Sequence, residues 1–162
     1  MNTLSLRIGT FLVSAAAIIV VGCGGGDQNN NPDGAFIGCV GATDIDAYSA
    51  GMMKIGKSGK LSVELVSSDP GPPIKGINKW SVLVKDAAGA PLDGAAIKVT
   101  PYMPAHRHGT QVDAVVTPVS GGVYNIAPLY LYMAGVWQTT LDVTSSDGAT
   151  TDSVVFSFCI DG

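Results

Sequence analysis

The chain carries two histidines, and both fall within Met103-Pro104-Ala105-His106-Arg107-His108-Gly109. A thioether and two imidazoles so close together can hold a soft metal. Copper(I) favours sulfur and imidazole nitrogen, whereas copper(II) favours imidazole and oxygen. Histidines at i and i+2 lie on one side of an extended strand. Met103 is out of phase with them, but Pro104 interrupts a strand and lets a loop gather all three. Coordination requires neutral imidazole, so binding of this kind weakens in acid. The competing reading is packing and solvation: methionine fills irregular gaps in cores, and loop histidines bond to backbone or water. Arg107 is either solvated or paired with Asp113, and Gly109 reads as a position that needs a permissive backbone angle. A zinc site needs a third or fourth nitrogen, oxygen or thiolate ligand, and the sequence assigns none.

The elements that must position these residues are strands. Leu61, Val63 and Leu65 alternate with Ser62 and Glu64, and Trp80, Val82 and Val84 alternate with Ser81 and Lys85. The same period recurs at Ile97 and Val99, at Val112, Ala114 and Val116, and from Val123 to Ile126. It closes with Trp137, Leu141 and Val143, then Val154, Phe156 and Phe158. Alternation of this kind marks half-buried strands, and no stretch sustains a helical period. Ser68-Asp69-Pro70-Gly71-Pro72-Pro73, Ala88-Gly89-Ala90-Pro91, Ser120-Gly121-Gly122 and Ser146-Asp147-Gly148 supply the turns. About seven short strands in roughly 100 residues predict an all-β, immunoglobulin-like antiparallel sandwich. Trp80 and Trp137 are expected in its core. Tyr130 and Tyr132 are expected either as an exposed aromatic strip for a protein or glycan, or as half-buried residues.

The first residues read as an address. Residues 1–7 carry one positive charge at Arg7, and Ile8 to Val21 form an apolar run. That run is short for a membrane-spanning helix, which needs about 20 residues, and it matches the core of a secretory signal. Val20-Val21-Gly22-Cys23 resembles the lipobox of bacterial lipoproteins, which implies cleavage after residue 22 and palmitate-type acylation of Cys23. Residues 23–34, GGGDQNNNPDG after the cysteine, have almost no apolar side chains and read as a flexible tether. Gly24 follows the cysteine where an aspartate retains many lipoproteins on the inner membrane, which favours the outer membrane.

With Cys23 lipidated, Cys39 and Cys159 remain, and exported thiols usually pair. One disulfide is expected, closing a loop of about 120 residues for which chain entropy allows up to ~4–5 kcal/mol. The alternative is that both ligate a metal with the histidines. If Phe156 and Phe158 face the core, Cys159 faces away. The bond then straps residues 35–60 along the outside or edge of the last strand of a domain spanning 61–162, with a turn of helix expected from Thr43 to Tyr48.

Composition excludes several function classes. The net charge is −4, more negative once Arg7 leaves with the leader, which argues against nucleic acid and against electrostatic capture by anionic lipid. Glu64 is the single glutamate. No nucleophile–base or acid–base pair is legible, so the chain is not expected to be an enzyme.

The order Trp80-Ser-Val-Leu-Val-Lys-Asp86, Gly89-Ala-Pro-Leu-Asp-Gly94, Met103-Pro104-x-His106-x-His108-Gly109, Gly122-x-Tyr124 and Met133-x-Gly135-x-Trp137 resembles the YtkA-like domains. The resemblance covers about Leu61 to Phe158. It implies an exported immunoglobulin-like β domain with a link to periplasmic copper handling, and it places Met133 beside the Met/His loop as a further ligand. The expected function is a lipid-anchored cell-envelope module that captures or transfers copper through Met103, His106, His108 and Met133. A copper-accepting envelope protein is its expected partner. The alternative is a non-metal structural or protein-interaction domain.

Overall fold

A computed structural model describes residues 38–162 of the chain; Cys23, the leader and the tether lie outside the described residues. Among the described residues there is no helix. Nine strands form: β1 (Met52–Ile55), β2 (Leu61–Asp69), β3 (Gly76–Asp86), β4 (Ala96–Met103), β5 (His108–Gly109), β6 (Val115–Pro118), β7 (Val123–Leu131), β8 (Gly135–Thr144) and β9 (Thr151–Ile160). They build two antiparallel sheets, ordered β1-β2-β3-β7-β6 and β5-β4-β8-β9. The chain is an all-β sandwich, with two short strands beyond the seven that alternation predicted. Both additions pair at sheet edges, and neither is long enough to show a period.

The alternating apolar residues meet between the sheets. Leu61, Val63 and Leu65 of β2, Trp80, Val82 and Val84 of β3, and Ile126 and Leu129 of β7 are buried on one side. Trp137, Leu141 and Val143 of β8 and Val154, Phe156 and Phe158 of β9 are buried on the other. Trp80 stands edge-on to Phe156 and Phe158, with ring centroids 5.8 and 5.7 Å apart, the geometry that aromatic quadrupoles favour. Each such side chain contributes about 1.5–3 kcal/mol by leaving water. Trp80 Nε1 is buried with no hydrogen-bond partner, which costs on the order of 1–3 kcal/mol.

The segment before β2 is a strap, held by a disulfide between Cys39 and Cys159 with Cα atoms 5.9 Å apart and 120 residues between them in sequence. The expected helical turn at Thr43–Tyr48 is absent. Asp44 takes a left-handed φ of 61°, and Asp46 is spent on the neighbouring strand. The Asp46 amide donates to the Ser157 carbonyl at 2.7 Å, while its carboxylate accepts from the Ser157 amide, also at 2.7 Å. Lys54 Nζ binds the same carboxylate and the Val155 carbonyl at 2.9 Å. The Lys57 amide donates to the Ser153 carbonyl at 2.8 Å. These groups satisfy alternate residues along the outer edge of β9, the surface through which an open sheet recruits a foreign strand. Farther along, Tyr48 packs edge-on to Phe158 at 6.0 Å and its hydroxyl accepts from the Ser68 amide at 3.0 Å.

Asp152 pins the β1–β2 turn. Its carboxylate accepts from the amides of Ser58 (2.8 Å), Lys60 (2.9 Å) and Ser153 (2.9 Å). Burial pushes its pKa up, but the Ser58, Lys60 and Ser153 amides outweigh that and hold it below the usual carboxylate value. A depressed folded-state pKa gives stability that is fully present above the unfolded value, about 3.9, and is lost as pH falls through the folded one. Asp152→Asn is expected to lose about 1.5–3 kcal/mol at neutral pH. The gap to the parent in urea-unfolding midpoint should close below about pH 4. A gap that stays constant down to acid would show that the charge contributes nothing.

Candidate functional site

The candidate ligands gather at one end of the sandwich, where the chain turns from β4 into β5 and crosses from β7 in one sheet to β8 in the other. Met103 ends β4 and pairs directly with His108 of β5. Directly opposed residues of an antiparallel pair have their side chains on the same face, with Cβ atoms about 4.5–5.5 Å apart. Met103 is buried, at 1% exposure, and His108 is half-buried at the rim above it. Between them, Pro104 to Arg107 form a tight turn in which the His106 and Arg107 amides both reach the Met103 carbonyl, at 3.2 and 2.8 Å.

This turn changes how the histidines meet. They do not share one face of a continuous strand, because Arg107 takes a left-handed φ of 55° and reverses the chain. The rings still come together, with centroids 5.6 Å apart and planes tilted by 53°. His106 is exposed on the turn. Arg107 is exposed and makes no ion pair with Asp113; the ion pairs among the described residues are Lys54–Asp46 and Lys85–Glu64. Gly109 has a different role from the one its sequence context suggested. Its φ is not left-handed; instead a side chain there would meet the Pro101 carbonyl oxygen at 2.7 Å.

The β7–β8 crossover supplies the other half. Tyr132 stacks on His108 with centroids 5.5 Å apart and planes 22° from parallel, and its hydroxyl lies 3.0 Å from His108 Nδ1. That nitrogen also lies 3.1 Å from the Gly109 carbonyl. A proton on Nδ1 satisfies the carbonyl and leaves Nε2 as the imidazole's lone-pair nitrogen. Trp137 presents an edge to His108 at 6.0 Å, and its indole N–H donates to the Met133 carbonyl at 2.9 Å. Met133 is half-buried against the core, and the hydrogen bond that ties it into the site is made by its carbonyl oxygen.

Gly135 joins the two halves. Its φ is 128°, and a side chain at that position would collide with the Met103 methyl group. Met133-x-Gly135-x-Trp137 therefore has a packing logic at each position: a carbonyl for the indole, a space for Met103, and an aromatic edge for His108. Tyr132 was legible in sequence only as a member of an aromatic strip; nothing in the pattern marked it as the neighbour of His108. Beside it, Gln111, Val112, Tyr130 and Tyr132 line an open groove of about 270 Å³. Among the described residues, no three His, Cys, Asp or Glu side chains come together as a metal-holding group.

A family model described as YtkA-like matches residues 56–142, more than half of the chain. The chain belongs to the YtkA-like family. The match begins ahead of Leu61 and stops within β8, so it includes both halves of the rim and leaves out Cys39 and Cys159. Among solved structures, a DUF4426 family protein from Pseudomonas aeruginosa PAO1 is similar, with 16% identity and a TM-score of 0.48 over 67% of this chain and 96% of that one. No curated protein matches the chain.

Gly135→Ala is expected to destabilise the domain by on the order of 2 kcal/mol or more, from backbone strain and overpacking together. Adding Met103→Ala should remove the overpacking, so the double variant loses less than the sum of the singles in urea unfolding. Strict additivity would show that Met103 and Gly135 do not share the space.

Proposed function

We propose that this YtkA-like domain is a cell-envelope binding module, and not an enzyme, that takes copper(I) as cargo at the Met103–His108 hairpin. One observation carries the reading: the chain's two imidazoles sit 5.6 Å apart with a thioether residue directly across the strand pair from one of them. Two imidazoles and a thioether make a neutral, soft donor set, which suits a monovalent soft cation better than a hard divalent one. His108 is braced at Nδ1, as metal-binding imidazoles commonly are, so that Nε2 is the donor. Met133, on the adjoining crossover, is the proposed fourth donor. Capture and hand-on to an acceptor protein fit a site on an open rim, beside a groove lined by Tyr130 and Tyr132.

Acylation of Cys23 and residence on the periplasmic face, with the outer membrane favoured, complete the proposal. It rests on the Val20-Val21-Gly22-Cys23 sequence.

Anaerobic copper(I) titration against a competing chelator tests the site. The His106→Ala/His108→Ala variant is expected to bind far more weakly than the parent. Tyr132→Phe removes the hydroxyl beside Nδ1 and should weaken binding about 10–100-fold, with urea stability nearly unchanged. Equal binding by parent and double-histidine variant would remove copper from the reading and leave a protein-interaction domain. For the anchor, Cys23→Ala is expected to move the protein from salt-washed membranes to the soluble fraction; retention on the membrane would refute lipidation at that residue.

A further inference from the structure

The strap that lies outside the family match ends on the candidate site. Gly38 packs so closely on the β7–β8 crossover that a side chain there would meet Gly135 Cα at 2.7 Å and the Ala134 carbonyl at 3.3 Å. The place a Gly135 side chain would fill is bounded by the Met103 methyl group on one side and by Gly38 on the other, with Gly38 O at 3.6 Å and Gly38 Cα at 3.9 Å. Gly38 therefore lies against the same spot as the Met103 methyl group, and Met103 is 1% exposed.

What holds this segment down is a covalent bond. Among the described residues, no backbone hydrogen bond ties residues 38–45 to the sandwich. The Ala42 amide donates within the segment, to the Cys39 carbonyl at 3.2 Å, and the first bond to the body comes at Asp46. Left-handed residues lie within the stretch, Gly41 at 75° and Asp44 at 61°, and Val40 is 75% exposed. Cys39 joins this weakly held piece to Cys159, which pairs with Val136 next to Gly135. Both cysteines are half-buried. Beyond Asp46, the bonds to Ser157, Val155 and Ser153 do not depend on the disulfide, so the rest of the strap stays in place when the bond breaks.

We propose that residues 38–45 form a redox-controlled lid over the Met103 thioether, closed while Cys39–Cys159 is intact and open when it is reduced. This regulation rests on Met103 being a copper donor. The reductant is a dithiol. One of its thiolates attacks a disulfide sulfur to give a mixed disulfide, and its second thiolate releases the protein sulfur. Cys39 and Cys159 leave as thiols with two electrons and two protons, and the dithiol is oxidised to its own disulfide. Opening exposes the thioether, so reduction raises access of copper(I) to the site.

Methionine oxidation reads the lid without any metal. Full-length protein is treated with hydrogen peroxide, and sulfoxide at Met103 is followed by peptide mass spectrometry, with Met53, 55% exposed, as reference. In the disulfide form Met103 should oxidise roughly tenfold or more slowly than Met53, and dithiothreitol or Cys39→Ser/Cys159→Ser should bring the two rates close together. Gly38→Ala, which keeps the disulfide but cannot seat on Gly135, should accelerate Met103 oxidation without reductant. Amide exchange in β3 must stay slow throughout; loss of its protection would mean general unfolding and overturn the lid. Unchanged protection of Met103 after reduction would also overturn it. Copper(I) titration of the same samples separates the two ideas. An unmasked Met103 with no copper binding removes the copper reading and leaves the lid; copper binding with Met103 still protected does the reverse.

Discussion

At Gly135 three pieces of chain converge where one side chain would normally stand. The Met103 methyl group reaches in from β4, Gly38 of the strap lies against the backbone, and the crossover from one sheet to the other passes through. Its φ of 128° is open to glycine and to little else. A protein interior is packed to crystal density, so there is no slack for a fourth group. The position of Met103 follows from this, and with it the position of His108 across the strand pair and of His106 one turn away. Tyr132 and Trp137, on either side of Gly135, are then fixed beside the same imidazole.

The rim is a natural place for such a cluster because it is where the core stops being apolar on all sides. Trp80 and its phenylalanine neighbours pack together inside the sandwich, and at the β7–β8 crossover the chain passes from one sheet to the other. Aromatic rings with one polar tip suit that boundary. Tyr132 turns its hydroxyl to His108, and Trp137 turns its N–H to the Met133 carbonyl. Along β9, the strap closes the outer edge with amides, a lysine and a carboxylate. That leaves the hairpin rim as a place where imidazoles meet solvent.

Much of the architecture was legible because strands with one face in a core must alternate, and Leu61 to Leu65, Trp80 to Val84 and Val154 to Phe158 do. The disulfide was legible from cysteine number and from the export that the leader sequence led one to expect, and the phase of Cys159 relative to Phe158 told which way it would face. β1 and β5 were not legible: four and two residues are too few to show a period, and their pairing is set by tertiary neighbours. The helical turn expected at Thr43–Tyr48 failed because Asp46 gains more by capping the edge of β9 than by continuing a local turn. At the site, residue type pointed to Met103, His106 and His108. The geometry that unites them came from Arg107 and Gly135, whose backbone angles have no composition signal beyond the glycine itself. The close approach behind Gly109 and the stacking of Tyr132 are relations between distant segments, and no single stretch of sequence encodes them.

Methionine at position 103 reconciles the two readings of the rim. A leucine would fill a similar volume, but its branched end is stiff and its carbon atoms offer no lone pair. An unbranched thioether packs as a hydrophobe and can still rotate its sulfur toward a cation by changing terminal torsions. Pressed against Gly135, Met103 contributes burial to the fold at no cost in unsatisfied polarity, because thioether sulfur is a weak acceptor. The imidazoles cannot be stored this way, since burying them without partners costs free energy; His106 stays exposed on the turn, and His108 stays half-buried with Tyr132 and the Gly109 carbonyl as partners. This end of the sandwich thus sets a buried thioether apart from imidazoles at the rim, which keeps unpartnered polarity out of the core.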